Sequence, residues 1–270
     1  MGPLEVYNLT YKHIQSIYSS RLKIQILLSV ADKPQSLSEL REVTGSTSQA
    51  IIPKIRSLER LFLLEPSDHE YKITPVGKIL ATKIGDFAMA FGELTKHQEF
   101  WASHNIEGIP SPFLADIGDL FESDVKFDTT ENMFHVYTYF ITVLQQAEFI
   151  HTISSVMSVP VAEVLAQRVI AGVPVELIVN RSVAEGLMQE PFISGIQSLK
   201  PFKHFKIWVV EEPLHLGITV TDKHLSLGLN KKVTAVYDSS ADMYSSDPKA
   251  RDWAERLFRY YRDRAVLLEL

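Results

Sequence analysis

The stretch Ser46-Thr47-Ser48-Gln49-Ala50-Ile51-Ile52-Pro53-Lys54-Ile55-Arg56-Ser57-Leu58-Glu59-Arg60-Leu61-Phe62 decides the reading of the first part of the chain. Ile51, Ile55 and Leu58, followed by Leu61 or Phe62, recur at helical spacing, and the hydroxyl residues ahead of them can accept from the free N–H groups of a first helical turn. A helix packed through that stripe turns Thr47, Ser48, Gln49, Ile52, Pro53 and Arg56 away from the core. Those side chains suit a major groove. Gln49 can pair doubly with adenine, Ser48 and Thr47 can meet bases or phosphates, and Ile52 can touch a thymine methyl. Ser46 opens the same start, and Lys54, Arg56 and Arg60 are long cations placed for phosphate. Pro53 removes an amide and crowds the preceding turn, so a bend between Ile52 and Lys54 is expected.

Working outward, Ile14, Ile17 and Tyr18, then Ile24, Leu27, Leu28 and Ala31, form apolar helical faces that stop at Asp32-Lys33-Pro34. Ser36-Leu37-Ser38-Glu39 has the pattern of a capping box at the start of a short helix ending near Thr44-Gly45. On the other side, Leu63-Leu64-Glu65 and Tyr71-Lys72-Ile73-Thr74 read as two short strands around Pro66 to Glu70. Lys72 and His69, at the tip, could contact the nucleic-acid backbone or the adjacent minor groove. Thr74-Pro75 starts a further helix with Val76, Ile79, Leu80 and Ile84 inward, and Phe87 to Trp101 reads as helical.

Residues 19–80, and above all Ser48-Gln49-Ala50-Ile51-Ile52-Pro53-Lys54-Ile55-Arg56, resemble a prokaryotic winged helix-turn-helix of the kind found in archaeal, methanogen-type regulators. The resemblance implies transcription regulation by a dimer. A helical module with a hairpin can also serve as a protein-interaction adaptor, since a fold does not fix a function.

Gly108, Pro110, Pro112 and Gly118 interrupt any long helix and mark a boundary region. Beyond it, residues 131–147 read as a helix, Phe149 to Val156 as a strand, Val161 to Ala171 as a helix and Val173 to Val179 as a strand, a parallel βαβ unit. Phe205 to Val210, Leu216 to Val220 and His224 to Leu229 read as three more strands. Pro248 to Ala265 closes the chain as a helix whose Trp253, Leu257 and Tyr260 or Tyr261 suit a core or a dimer interface. The expected fold class is therefore multi-domain α/β. It divides into a winged helix-turn-helix (1–80), a helical connector (81–130) and an α/β domain with a mixed sheet for sensing and dimerisation (131–270).

The βαβ segment through Ala171-Gly172-Val173-Pro174-Val175-Glu176-Leu177-Ile178-Val179-Asn180 resembles phospholipase D-like domains, and most of residues 131–270 resembles the C-terminal domain of methanogenesis regulators. The phospholipase D-like signature is His-x-Lys, four residues, then Asp. His215-Leu216-Gly217-Ile218-Thr219-Val220-Thr221-Asp222 keeps the His and Asp but has Gly217 for the lysine. That lysine would hold phosphate oxygens while histidine attacks, so its loss argues against a phosphodiesterase-like hydrolase using His215. The resemblance leaves a degenerate pocket for a small effector, with His215, Asp222, Asn180 and Arg181 as candidates and His151 behind them. Asn180 and the residues after it could equally be a helix cap, and a lone histidine can be a structural hydrogen-bonding residue.

Composition sets the outer limits. The 270 residues are 46% hydrophobic and contain no cysteine, which excludes disulfides, thiolate-held zinc and iron–sulfur clusters. The net charge of −6 is uneven: residues 1–78 hold 10 Lys or Arg against 8 Asp or Glu, leaving 17 against 25 for the rest. No apolar run is long enough for a membrane span, the first residues lack a secretory pattern, and a cytoplasmic location is expected. No helical His pair for zinc, glycine-rich phosphate loop or Gly-x-Ser-x-Gly elbow is found, so no cofactor and no metal is expected. The expected partners are double-stranded DNA, a second copy of the chain and a small-molecule effector, with no membrane.

Overall fold

The computed structural model of the chain describes residues 1–269, which fall into two compact units divided between Ala88 and Met89. In the first, helix α1 (Pro3–Tyr18) is separated from α2 (Arg21–Asp32) by a two-residue break, where the Ser20 hydroxyl accepts from the Lys23 amide. The strand β1 (Gln35–Ser36) leads into α3 (Leu37–Thr44) through a capping box. Ser36 Oγ accepts from the Glu39 amide at 3.3 Å, and Glu39 Oε2 accepts from the Ser36 amide at 2.8 Å. The Ser36 amide, and its hydroxyl at 2.9 Å, both donate to that carboxylate, which favours its charged form and lowers the Glu39 pKa. Gly45 takes the left-handed conformation that ends α3.

Helix α4 (Ser48–Arg60) follows, then the strands β2 (Leu64–Ser67) and β3 (Glu70–Ile73) and the long helix α5 (Pro75–Lys96). The small sheet has the order β1-β3-β2. The β2–β3 turn is made by Asp68 and His69, both at positive φ, as a two-residue hairpin turn requires. Ile26, Leu27, Leu40, Ile51, Ile55, Leu58 and Ile84 fill the core between the helices. Helix α4 runs continuously through Pro53, from Ser48 to Arg60.

The second unit is built on an eight-stranded mixed sheet. Two short helices, α6 (Gln98–Ser103) and α7 (Ser111–Ala115), precede the strand β4 (Asp124–Phe127) and helix α8 (His135–Gln146). Then come β5 (Ile150–Ser154), α9 (Val159–Ile170), β6 (Val175–Asn180), α10 (Arg181–Leu187), α11 (Ile193–Leu199) and β7 (Phe205–Val210). The strands β8 (Leu216–Thr221), β9 (Leu225–Leu229) and β10 (Ala241–Ser245), the helix α12 (Pro248–Arg262) and the strand β11 (Val266–Leu267) complete it. The strand order is β11-β7-β6-β5-β8-β9-β10-β4, with β5, β6 and β7 parallel and the other pairings antiparallel.

One face of this sheet is largely apolar, with His151, Glu176 and Lys206 as its polar members on the parallel strands. Ile153, Ile178, Leu216, Ile218, Leu227 and Met243 pack there against Trp253, Leu257 and Phe258 of α12. The aromatic stripe of α12 is thus core rather than an outer interface. Phe100, Ile109, Phe113, Ile117 and Leu120 enter the same core. The segment read as a helical connector therefore contributes a wall of the second unit from Met89 onward. The other face is apolar only over the parallel strands, where Ile150, Val175, Val179 and Ile207 meet α8 to α11. Over β8, β9 and β10 it carries Gly217, Thr219, Thr221, Ser226, Gly228, Asp242 and Tyr244, alternating with the apolar residues behind them. Thr219, Thr221, Ser226 and Asp242 are nevertheless buried.

Candidate functional site

In the first unit, Thr47 caps α4, its hydroxyl accepting from the Ala50 amide at 3.4 Å. With 3.6 residues per turn, burial of Ile51, Ile55 and Leu58 leaves Gln49, Pro53, Arg56 and Arg60 in one outward stripe, and all four are exposed. Ile52 is exposed beside them, and Ser46 and Ser48 are half-buried at the helix start. Pro53 provides no amide to the turn before it, which leaves the Gln49 carbonyl without that helical donor on the same outer face. Arg56 also reaches Glu59, its Nη1 lying 3.3 Å from Oε2. Lys54 departs from the stripe: it is half-buried on the flank, and burial, followed by repulsion from the charges of Lys54 and Arg60, lowers the pKa of Lys23. The buried Lys23 ammonium donates to the Ser16 hydroxyl at 2.8 Å and to its carbonyl at 3.1 Å.

The hairpin is less favourable to phosphate. His69 stands at its tip and Lys72 faces Glu65 across the strands, both exposed, but Glu65, Asp68 and Glu70 are exposed there too. Arg56 and Arg60 of α4 are therefore better placed for phosphate than the hairpin is.

The five residues suggested for an effector do not converge. His215 is exposed ahead of β8 and Asp222 follows its other end, so the six residues of the strand hold them roughly 20 Å apart. Asp222 Oδ1 accepts from the Glu148 amide at 2.7 Å. His151 faces the α12 layer, where its Nδ1 is 2.8 Å from Glu255 Oε2 and its ring stacks on Phe258. Asn180 caps α10 by accepting from the Val183 amide at 2.9 Å, and Arg181 pairs with Glu211 on the surface. Each of these polar side chains except His215 thus has a local structural partner.

The second unit instead holds a cavity of about 390 Å³ on the half-polar face of its sheet. Phe140 of α8, Leu165 of α9 and Phe192 supply apolar wall, while Thr152, Thr219, Ser226 and Asp242 form the floor. Thr152 Oγ1 donates to the Ile218 carbonyl at 3.1 Å, so at the 2.8 Å contact between Thr152 and Thr219 it is Thr219 that donates. Asp242 Oδ2 accepts from Ser226 Oγ at 2.5 Å, whereas Oδ1 is sealed from solvent and has no hydrogen-bond partner. Burial pushes the Asp242 carboxyl up from 3.8 to about 7, against the opposing hydrogen-bonding influence of Ser226 and of the Tyr244 hydroxyl.

Gly217 and Gly228 face each other across β8 and β9, and together they leave a bare patch on which the Tyr237 ring lies. A β-carbon at 217 would come within 3.0 Å of that ring, and one at 228 would collide with its hydroxyl and approach Asp242 Oδ1 to 2.8 Å. The glycine that stands where lysine was looked for is thus the floor beneath a tyrosine. Sequence reasoning missed Thr219, Ser226, Tyr237 and Asp242. The signal was the alternation in Leu216 to Thr221, Leu225 to Leu229 and Ala241 to Ser245, which ordinarily marks a face turned to water.

Among the described residues there is no group of three or more His, Cys, Asp or Glu able to hold a metal ion, and no helix long and apolar enough to cross a membrane. Residues 11–90 match the model of the N-terminal domain of the methanogenesis regulatory protein FilR1, and residues 133–264 match that of its middle domain. Over 261 residues the chain is 25% identical to methanogenesis regulatory protein FilR1 of Methanothrix harundinacea (strain 6Ac). That match takes in 96% of this chain and 58% of the relative, so the chain spans a little over half the relative's length. Similar solved structures include TrmBL2, described as an archaeal chromatin protein with a novel mode of DNA binding. It has a TM-score of 0.42 and 13% identity, over 97% of this chain and 100% of that one. Another is phosphatidylserine synthase of Haemophilus influenzae Rd KW20, with a TM-score of 0.41 and 14% identity, over 54% of this chain and 40% of that one.

Proposed function

We propose that the chain is a transcription regulator of the methanogenesis-regulator type, which reads double-stranded DNA with its first unit, responds to a small molecule through its second and acts as a homodimer in the cytoplasm. The observation that carries this reading is the outward stripe Gln49, Pro53, Arg56 and Arg60 on a helix whose opposite face is wholly committed to the core. The two domain matches to a regulatory protein support it. Ile52 and Gln49 offer base contacts, and Arg56, Arg60 and Lys54 offer phosphate contacts. Ser46, Thr47 and Ser48 lie where a helix start meets the backbone, with His69 and Lys72 as secondary contacts.

Fluorescence anisotropy with a duplex from the region upstream of the gene and a scrambled duplex, over a salt series, tests the reading. Arg56→Ala is expected to weaken binding to both duplexes and to reduce the slope of log affinity against log salt by about 1. Gln49→Ala is expected to cost about 1–3 kcal/mol on the upstream duplex and little on the scrambled one. Parent-like behaviour of both variants would remove α4 from the DNA interface.

For the dimer, the surface with the best support is in the first unit. Leu4, Tyr7, Leu9 and Tyr11 of α1 and Val76 and Ile79 of α5 are exposed, whereas only the last turn of α1 is buried, at Ile17. Helices this short gain most of their stability from packing an apolar face, so three outward turns with four large apolar side chains call for a partner. Light scattering after size exclusion should give a dimer for the parent and a monomer for Leu9→Asp; a dimer in both would move the interface elsewhere. A ligand bound in the second unit changes DNA affinity only by its differential binding to the two states of the dimer.

A further inference from the structure

We infer that the cavity of the second unit takes a small, mainly apolar molecule with a protonated amine at one end, whose ammonium group pairs with Asp242. The inference rests on reading that cavity as the effector site and goes on to name the chemistry of the ligand.

Three features of the lining select for it. The walls are aromatic and aliphatic, which suits an apolar body. The lining residues include the carboxyl groups of Asp242 and Asp238 and no Lys, Arg or His. An anionic head would therefore enter a buried site with no cation to meet it. Asp238 is already engaged, pairing with Lys231 at 3.3 Å and His104 at 3.2 Å and accepting from Ser240 Oγ at 2.6 Å. Asp242, only 5% exposed, is less so: Oδ2 accepts from Ser226, Oδ1 has no hydrogen-bond partner, and the nearby Tyr244 hydroxyl, which eases the burial of the carboxyl, donates to the Val136 carbonyl at 3.3 Å.

The other polar groups of the floor fit the same head. Because Thr219 gives its proton to Thr152, its oxygen keeps free lone pairs that can accept. A donor with several N–H groups meets Asp242 and Thr219 together, which a single hydroxyl cannot do. The Tyr237 hydroxyl lies over Gly228 beside Oδ1, so the ammonium group reaches the carboxylate by displacing it. An ammonium ion also brings the positive charge that a buried carboxylate held near half-ionisation lacks.

The test uses three probes of similar shape on the full chain: 2-phenylethylamine, 2-phenylethanol and 3-phenylpropionate, with binding followed by calorimetry at pH 7.5. The parent is expected to bind the amine at least 10-fold more tightly than the alcohol and not to bind the acid. Asp242→Asn should bring the amine down to the level of the alcohol and leave the alcohol unchanged. Leu165→Trp, which fills the wall and spares the floor, should abolish both. If the alcohol or the acid binds as tightly as the amine, or if Asp242→Asn leaves amine binding intact, the ligand chemistry is wrong while the cavity stands as a site. If none of the three binds, both the chemistry and the effector reading fail. Amine binding with no change in DNA affinity would keep the ligand class and remove the sensing role.

Discussion

Trp253→Ala is expected to destabilise the protein by roughly 5 kcal/mol, measured as a shift in the urea midpoint of the second unit. Trp253 is completely buried in the layer between α12 and the sheet, in edge contact with Phe113. Truncating a tryptophan in a core costs about 3–5 kcal/mol, because the transfer energy is lost and the space left behind collapses only in part. Its indole N–H also donates to the Phe113 carbonyl at 3.0 Å. Leaving that buried carbonyl without a donor adds about 1–3 kcal/mol. Against a total stability of about 5–15 kcal/mol for a typical domain, this is enough to populate the unfolded state. Trp253→Phe retains most of the packing and should lose markedly less. An alanine variant within about 1 kcal/mol of the parent would contradict the description of this core.

The second large effect depends on pH. Burial raises the Asp242 carboxyl from 3.8 to about 7, so between those values the folded protein holds a proton that the unfolded chain releases. Stability must then fall as pH rises from about 4 to about 7 and stay level above that. The ionised group costs up to roughly 4 kcal/mol at pH 8. Asp242→Asn cannot ionise, and its side-chain oxygen can still accept from Ser226. The stability of Asp242→Asn relative to the parent is therefore expected to improve by that amount between pH 4 and pH 8 in denaturant titrations. Other carboxyls shifted upward, such as Glu93 beside His97, are common to both proteins and cancel in the difference. A difference between parent and variant that does not change with pH would mean that Asp242 is hydrated or paired in solution.

Local chemistry carried much of the fold. The period of Ile51, Ile55 and Leu58 placed α4, the Ser36 to Glu39 box placed the start of α3, and the alternating hydrophobic runs after residue 148 placed the central strands. What was not legible depends on distance along the chain. Gly108, Pro110, Pro112 and Gly118 announce turns but say nothing of what the turns rest on, and the intervening Phe113 and Ile117 keep no single period. They pack against α12, some 140 residues later, and so the segment read as a link between domains. The strand Ala241 to Ser245 was missed because its alternation lasts only five residues and begins and ends on small ones, next to the polar run Asp238-Ser239-Ser240.

The candidate site divides in the same way. The outward residues of α4 follow from its buried ones, since a helix has only one angular repeat. The effector residues did not follow, because polar groups at strand ends are as well suited to capping and pairing as to binding, and Asn180, Arg181, His151 and Asp222 are all used in that manner. The polar half of the sheet face becomes a cavity floor only because helix α8, α9 and the loop bearing Tyr237 close over it.

The two opposed glycines under Tyr237 constrain how this chain can change. Any side chain at 217 must share space with the ring above it, and a β-carbon there already meets the Tyr237 ring and hydroxyl at 3.0 Å. Restoring a lysine between His215 and Asp222 therefore disturbs the roof of the chamber as well as its floor. Gly217→Lys alone lifts the tyrosine from its bed, and Tyr237→Ala alone leaves a wider chamber above Asp242. Either change alters the shape of the chamber above Asp242, so the two glycines tie the floor of the cavity to the position of its tyrosine.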